Sequence, residues 1–156
     1  MLVASGCGSS GSSSSGAAAT QSSSQTRASS VVGSNTPFGA DADAICKRLN
    51  ATLAKRTVPK LTLAVIARIS PGRALLEKAA VGELEHLNAP TADKASWEQL
   101  LVVRRTLASE LSQLGRAAKS GNQNRVTQLT ASKKAHHAEE KAVAAKLGLK
   151  DCSSVG

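Results

Sequence analysis

Apolar residues recur at intervals of three and four between Ser96 and Lys119, the stretch with the clearest helical period in the chain. At about 100° per residue these positions fall in one stripe, so the pattern predicts a long helix with a single buried face. The stripe contains Trp97, Leu100, Leu101, Arg104, Leu107, Ala108, Leu111, Leu114 and Ala118. Off the stripe lie Glu98, Gln99, Arg105, Ser109, Glu110, Ser112 and Gln113. Such a stripe needs partner helices to cover it.

Two signals compete for the start of this central helix. Ser96 and Gln99 fit a capping box, and Pro90-Thr91 is an earlier start signal. The run Ser120-Gly121-Asn122 predicts its end, because glycine readily takes the left-handed conformation that follows a helix.

Two more helices are predicted before the central one. Asp41 or Asp43 is expected to cap the first, and Val58-Pro59 to end it, because proline removes a backbone donor. Its apolar face contains Ile45, Leu49 and Leu53. The next helical phase continues through Pro71-Gly72, which indicates either two collinear pieces or one helix kinked near Pro71. The pieces would cover about residues 60–70 and 72–88, with Leu61, Val65, Ile66, Ile69, Leu76, Ala80, Leu84 and Leu87 in phase.

A last helix is predicted from its Asn122 cap to about Leu147, where Gly148 stops it. Four helices with short connections favour an all-α fold, an antiparallel four-helix bundle. In that order the start of the first helix and the end of the last lie at the same end of the bundle. Cys46 is expected in the first turn of the first helix, and Cys152 follows the last helix, so the two come close enough for a disulfide, which is typical of exported proteins. Two unrelated reduced thiols are the alternative.

Arg104 lies in the middle of the apolar stripe of the central helix. One interpretation is a side chain at the edge of the core whose charged end reaches solvent. The other is a paired interior arginine that orients a carboxylate ligand or partner. The sequence leaves both interpretations open.

The first seven residues, MLVASGC, combine short apolar and small side chains with a cysteine. They resemble the end of a bacterial lipoprotein signal peptide, in which the cysteine becomes the lipidated first residue of the mature protein. The matching residues are Ala4, Ser5, Gly6 and Cys7. The resemblance implies a lipid such as palmitate on Cys7. The short run before it leads us to expect a start codon upstream of Met1.

Residues 8–37 are mostly Ser, Gly, Ala, Gln and Thr. They have too little apolar surface to offset the entropy of ordering, so we expect a disordered tether. A flexible coil of about 28 residues spans about 30 Å, enough to hold a domain just off a membrane. The predicted organisation is therefore a signal-peptide remnant over 1–7, this linker over 8–37 and a helical bundle over 38–156.

Three features of the helical region resemble small helical lipoproteins of GC-rich bacteria. They are DADAIC near its start, the Trp-led helix with Arg104-Arg105, and GLKDC near its end. The resemblance covers about residues 38–156. It implies an extracytoplasmic location, anchored to the cell membrane, and a helical fold; it implies no catalytic residue, because that group has no assigned activity.

The chain carries a formal net charge of +9, and cations cluster without an acid between residues 44 and 76. We expect an anionic lipid or cell-wall polymer as the partner of this basic patch. The patch comprises Lys47, Arg48, Lys55, Arg56, Lys60, Arg68 and Arg73. With one Trp, one Phe and no Tyr, the chain lacks the aromatic platforms on which single-stranded nucleic acid stacks.

The only metal-like cluster in the sequence is His136, His137, Glu139 and Glu140. His136 and Glu140 are four residues apart and His137 and Glu140 three, so either pair could face one cation. Phosphate-binding glycine loops, HExxH and nucleophile-elbow sequences do not occur. Glu77, Glu83 and Glu85 are interpreted as ordinary helix-surface charges. We therefore expect neither a catalytic residue nor a cofactor.

The leading hypothesis is a membrane-tethered, extracytoplasmic helical module with a binding or structural role. One alternative is a metal- or haem-binding bundle that uses His136, His137 or Glu140. The other is a cytosolic basic protein that contacts nucleic acid, which a lipid anchor would argue against.

Overall fold

A computed structural model describes residues 33–55 and 60–154 and confirms an all-α, antiparallel four-helix bundle. The helices are α1 (Pro37–Ala54), α2 (Leu63–Glu85), α3 (Lys94–Lys119) and α4 (Gln123–Lys146), with a short 3-10 turn at Thr91–Asp93. Helix α3 is central, because it packs along both α2 and α4, whereas α1 packs against α2. Within the described residues, no helix is both long enough and apolar enough to cross a membrane.

Helix α1 starts earlier than its acidic residues suggested, so the prediction of an Asp41 or Asp43 cap is wrong. Thr36 is the cap: its hydroxyl accepts a hydrogen bond from the Gly39 backbone N–H at 3.0 Å, and Pro37 follows it. Proline suits the first turn because the N–H that it lacks would have no helical partner there. Cys46 consequently lies in the third turn of α1, not in the first.

The predicted linker boundary is also too late. Ser34 donates its backbone N–H to the Gly148 carbonyl at 3.3 Å and its hydroxyl to Asp43. Residues 33–36 therefore belong to the bundle. Residues 1–32, which include Cys7 and most of the linker, lie outside the described residues, as do Arg56 and Val58-Pro59.

Helix α2 is a single helix that continues through Pro71. Proline has no N–H, so α2 lacks the hydrogen bond that would join residue 71 to the Ala67 carbonyl. Thr62 caps the helix by accepting from the Val65 N–H at 3.3 Å. Leu61, predicted on the apolar face, precedes the helix and is 66% exposed.

The 3-10 turn leads directly into α3, so Ser96 lies inside the helix and the earlier start signal at Pro90-Thr91 is the correct one. The predicted stops are confirmed, because Gly121 and Gly148 take positive φ angles of 71° and 69°. Asn122 caps α4 by accepting from the Arg125 N–H at 3.0 Å.

Two apolar cores lie at opposite ends of the bundle. The larger, which we call the disulfide-end core, gathers residues from all four helices and the C-terminal tail, and Phe38 and Trp97 meet edge to face within it. Its buried members are Ala42, Ile45, Cys46, Leu49, Ala80, Leu84, Trp97, Leu100, Leu101, Val143, Ala144, Leu147, Leu149 and Cys152. The smaller, the far-end core, contains Leu114, Ala117, Ala118, Val126 and Leu129, partly covered by Leu63, Ile66 and Ala67.

Cys46 and Cys152 are joined by a disulfide, with Cα atoms 5.0 Å apart. The bundle order predicted that proximity. Asp43, one turn before Cys46, holds the same tail: its carboxylate accepts from the backbone N–H groups of Lys150, Asp151 and Cys152 at 3.1, 2.9 and 3.3 Å. Asp43 therefore caps the C-terminal tail instead of its own helix.

Candidate functional site

A group of charged side chains is buried along the middle of the bundle, and Arg104 is its centre. The guanidinium of Arg104 is fully buried and lies 2.7 Å from Glu140 (Nη2 to Oε1) and 3.6 Å from Glu77 (Nη1 to Oε2). These residues come from α3, α4 and α2 respectively. We call them the Arg104 triad. Its ionic contacts link α2, α3 and α4.

Arg104 is therefore not a side chain that reaches solvent from the core edge. Nη2 also donates to the Cys152 carbonyl at 3.5 Å, which ties the guanidinium to the disulfide-bonded tail. The carboxylates that face Arg104 belong to its own chain. Burying a charge is unfavourable unless opposite charges and hydrogen bonds surround it, and Arg104 has both.

The two carboxylates of the triad are not equivalent. Burial raises the pKa of Glu77 above its ordinary value; Arg104 and Lys133 oppose that rise, and Glu140 adds to it. Glu140 makes the closer contact with Arg104 and also pairs with His137, whose Nδ1 lies 3.1 Å from its Oε2. Arg104 thus binds Glu140 directly. Glu77 lies farther from Arg104, and burial disfavours its ionised form.

The prediction that Glu77 is an ordinary surface charge is wrong, and the sequence contained a signal against it. Ala74, Glu77, Val81 and Leu84 are all buried on α2 and follow each other at spacings of three and four. An acid in phase with an apolar stripe is expected to point inward. Glu140 fits the same pattern, because it precedes the buried Val143, Ala144 and Leu147 by three, four and seven residues.

Glu110 is buried as well, although it lies off the main stripe of α3. Its Oε1 accepts a hydrogen bond from the Ser132 hydroxyl and lies 3.0 Å from Nδ1 of His136. Both partners are on α4. Because α3 packs against two helices, its buried arc is wider than one stripe, and the side toward α4 admits a paired acid.

The three candidate metal ligands do not converge on one point. His136 contacts Glu110, whereas His137 contacts Glu140, so the two rings serve different carboxylates. Lys133 lies 3.5 Å from His137, and burial, followed by the charge of Arg73, lowers the pKa of its ammonium group. Among the described residues there is no group of three or more His, Cys, Asp or Glu placed to hold a metal ion.

The predicted basic patch divides into residues with different surroundings. Lys47, Lys55, Lys60 and Arg68 are exposed. Arg48 pairs with Glu83, and Arg73 is half-buried with its Nε enclosed. Among the described members of the patch, these four are exposed and form no ion pair with a described residue.

The interior charges are thus paired mainly with each other across α2, α3 and α4. Comparison of the chain with protein-family models, with curated proteins and with solved structures found no match. The functional assignment therefore depends on the residues and the geometry described above.

Proposed function

We propose that this chain is a lipid-anchored, extracytoplasmic helical module with a binding or structural role. The anchor is Cys7, in the run Ala4-Ser5-Gly6-Cys7. A single acyl chain binds membranes only marginally, so the expected modification carries more than one.

The observation that supports this proposal most strongly is the Cys46–Cys152 pair. Disulfides persist in oxidising compartments outside the cytoplasm and are rare inside it. Asp43 holds the tail beside Cys46 by accepting hydrogen bonds from three backbone N–H groups, those of Lys150, Asp151 and Cys152. The chain contains three cysteines, and in this proposal one is acylated while the other two form the bridge.

The Arg104 triad supports a binding or structural role over a catalytic one. Its three side chains are almost completely inaccessible, with side-chain exposures of 0%, 4% and 2% for Arg104, Glu77 and Glu140. A general acid or base has to come within hydrogen-bond reach of a substrate atom. Groups enclosed in this way instead fix how α2, α3 and α4 align, a known use of buried polar residues.

The proposal is tested on protein isolated from its native host. Mass spectrometry of the N-terminus is expected to find an acylated Cys7 as the first residue, and peptide mapping without reductant to find the Cys46–Cys152 peptide. An intact Met1 followed by an unmodified Cys7 would refute the anchor. Free thiols at Cys46 and Cys152 in freshly isolated protein would refute the extracytoplasmic location.

A further inference from the structure

A shallow groove runs between α2 and α3 and is lined by residues of both helices. We call it the α2–α3 groove. Ala67, Pro71 and Leu75 give it an apolar surface, and Lys78, Arg116 and Lys119 stand around it. No carboxylate occurs among the described residues that line it.

The apolar part of the groove is unusually accessible. Leu75 is 68% exposed, the largest exposure of any large hydrophobic side chain in the described part of the chain. Pro71 is exposed beside it, one helical turn away on the same face of α2. Single exposed leucines are common, but this one lies with a proline and an alanine inside a ring of positive charge.

The cations of the groove lack the acidic partners that three arginines elsewhere in the bundle have. Arg48 pairs with Glu83, Arg104 with Glu140 and Arg105 with Glu85. Lys78, Arg116 and Lys119 form no ion pair with any described residue. The C-terminal end of α3 accounts for two of them, since cations favour that end of a helix. It does not account for Lys78, which lies on α2 beside Leu75.

We propose that the α2–α3 groove docks on a bilayer that contains anionic lipid, with Leu75 inserted between headgroups and the three cations on their phosphates. Exposed apolar side chains surrounded by Lys and Arg are the combination by which proteins lie on such surfaces. A soluble polyanion would use the charges but would gain nothing from Leu75 and Pro71. The inference rests on the proposed function, because an anchor at Cys7 supplies the membrane.

The test uses the full chain with Cys7→Ser, so that no acyl chain contributes. Cosedimentation is measured with vesicles of equal parts phosphatidylglycerol and phosphatidylcholine, and with phosphatidylcholine alone. Binding is expected only to the first kind and should weaken as salt rises. Each neutralised cation should weaken it about fivefold, from about 1 kcal/mol per charge at an anionic surface.

Matched variants separate the groove from the rest of the surface. Lys78→Gln and Leu75→Gln should weaken vesicle binding, whereas Lys141→Gln on α4 and Val102→Gln, both exposed and outside the groove, should leave it unchanged. All four sites are exposed, and thermal melting checks that the folds are equal. If Lys141→Gln weakens binding and Lys78→Gln does not, the docking surface lies outside the groove and the inference is wrong.

Two further outcomes would also overturn it. One is the absence of binding to anionic vesicles. The other is equal competition by inorganic polyphosphate together with no effect of Leu75→Gln, which would identify a soluble polyanion as the occupant. The two proposals fail separately: an acylated native Cys7 with no vesicle binding refutes the docking, whereas vesicle binding with an unmodified native Cys7 refutes the anchor.

Discussion

The two ends of the bundle are stabilised in different ways. At the disulfide end, both termini of the described helical domain meet: the Ser34 segment, α1 and the tail after α4 are joined by Asp43 and by the Cys46–Cys152 bond. The far end contains the smaller core and no disulfide among the described residues. There the helices are held by apolar packing and by side-chain hydrogen bonds such as that from Arg125 to Gln113 at 2.9 Å.

Outside the disulfide end, Gly115 of α3 lies against Pro71 of α2. A Cβ atom added to Gly115 would lie 3.0 Å from the Pro71 Cδ. The far end therefore uses small side chains to bring two helices together, whereas the disulfide end uses long-range links between distant parts of the chain. We expect the far end to open first in hydrogen exchange, because less buried apolar surface and fewer cross-links oppose local unfolding.

Of the single substitutions considered, loss of Arg104 from the Arg104 triad is expected to lower the free energy of unfolding most. Arg104→Met leaves Glu77 and Glu140 buried without their cation and should lower the free energy of unfolding by about 3–5 kcal/mol. Arg105→Met is the matched control. Arg105 pairs with Glu85 at 2.7 Å but is about half exposed, so its loss should cost at most about 1 kcal/mol. Equal losses in the two variants, measured by urea unfolding, would show that the triad adds no stability.

Reduction of the disulfide should remove much of the difference between the two ends. The bond spans 106 residues, and closing such a loop stabilises a fold by up to about 4.7 kcal/mol in the chain-entropy model, with about 2–5 kcal/mol typical. Reduced protein should melt at a lower temperature and exchange the Asp151 and Cys152 amide protons faster. The Cys46→Ala, Cys152→Ala variant should not respond to reductant. Faster exchange only at the far end would contradict the assignment of the disulfide to the local stability of its own end.

Two glycine substitutions, one in open space and one at the contact of Gly115 with Pro71, test how tightly α2 and α3 pack. Gly82→Ala has open space around the new methyl group, so its helix propensity should stabilise the protein by about 0.5–1 kcal/mol. Gly115→Ala adds the same methyl group against the Pro71 ring, and overpacking of about 1–3 kcal/mol should outweigh that gain. The two variants should therefore shift the melting temperature in opposite directions. A stabilising Gly115→Ala would mean that α2 and α3 can separate there at little cost.

The sequence predicted the parts of this fold that depend on local pattern. The stripe of α3, the stops at Gly121 and Gly148 and the Asn122 cap all follow from residues close together in the chain. The disulfide followed from helix order, although its derivation placed Cys46 too near the start of α1. Asp43 was misassigned because three of its partners lie more than 100 residues away. Within its own segment it has the composition of a helix cap.

The candidate site was predicted only in part, for a related reason. Arg104 and Glu140 were both singled out, but their pairing depends on the alignment of α3 with α4, which no local pattern specifies. The pairing of Glu110 with His136 likewise depends on how α3 and α4 align. Glu77 could have been found, because it lies in phase with Ala74 and Leu84. The spacing of apolar residues along a helix can thus predict that a charged residue is buried. Which residue pairs with it depends on how the helices pack against each other.

The smallest predicted effect concerns Glu77 and the pH dependence of stability. Burial raises its pKa, so the folded chain keeps this proton to a higher pH than the unfolded chain does. Between the ordinary and the raised pKa the unfolded state therefore binds fewer protons, and the contribution of Glu77 to stability falls as pH rises through that interval. Arg104, Glu140, His137 and Lys133 act on the same carboxylate, but all four remain in Glu77→Gln.

The difference between wild type and Glu77→Gln thus isolates this one group. The variant should lack this fall of stability with rising pH. At neutral pH its free energy of unfolding should equal that of wild type or exceed it by up to about 1 kcal/mol, because Glu140 still pairs with Arg104 at 2.7 Å. Glu83→Gln, an exposed acid on the same helix, should keep the wild-type slope. Urea unfolding at several pH values measures both. A variant whose free energy of unfolding parallels that of wild type at every pH would show that burial does not raise the pKa of Glu77.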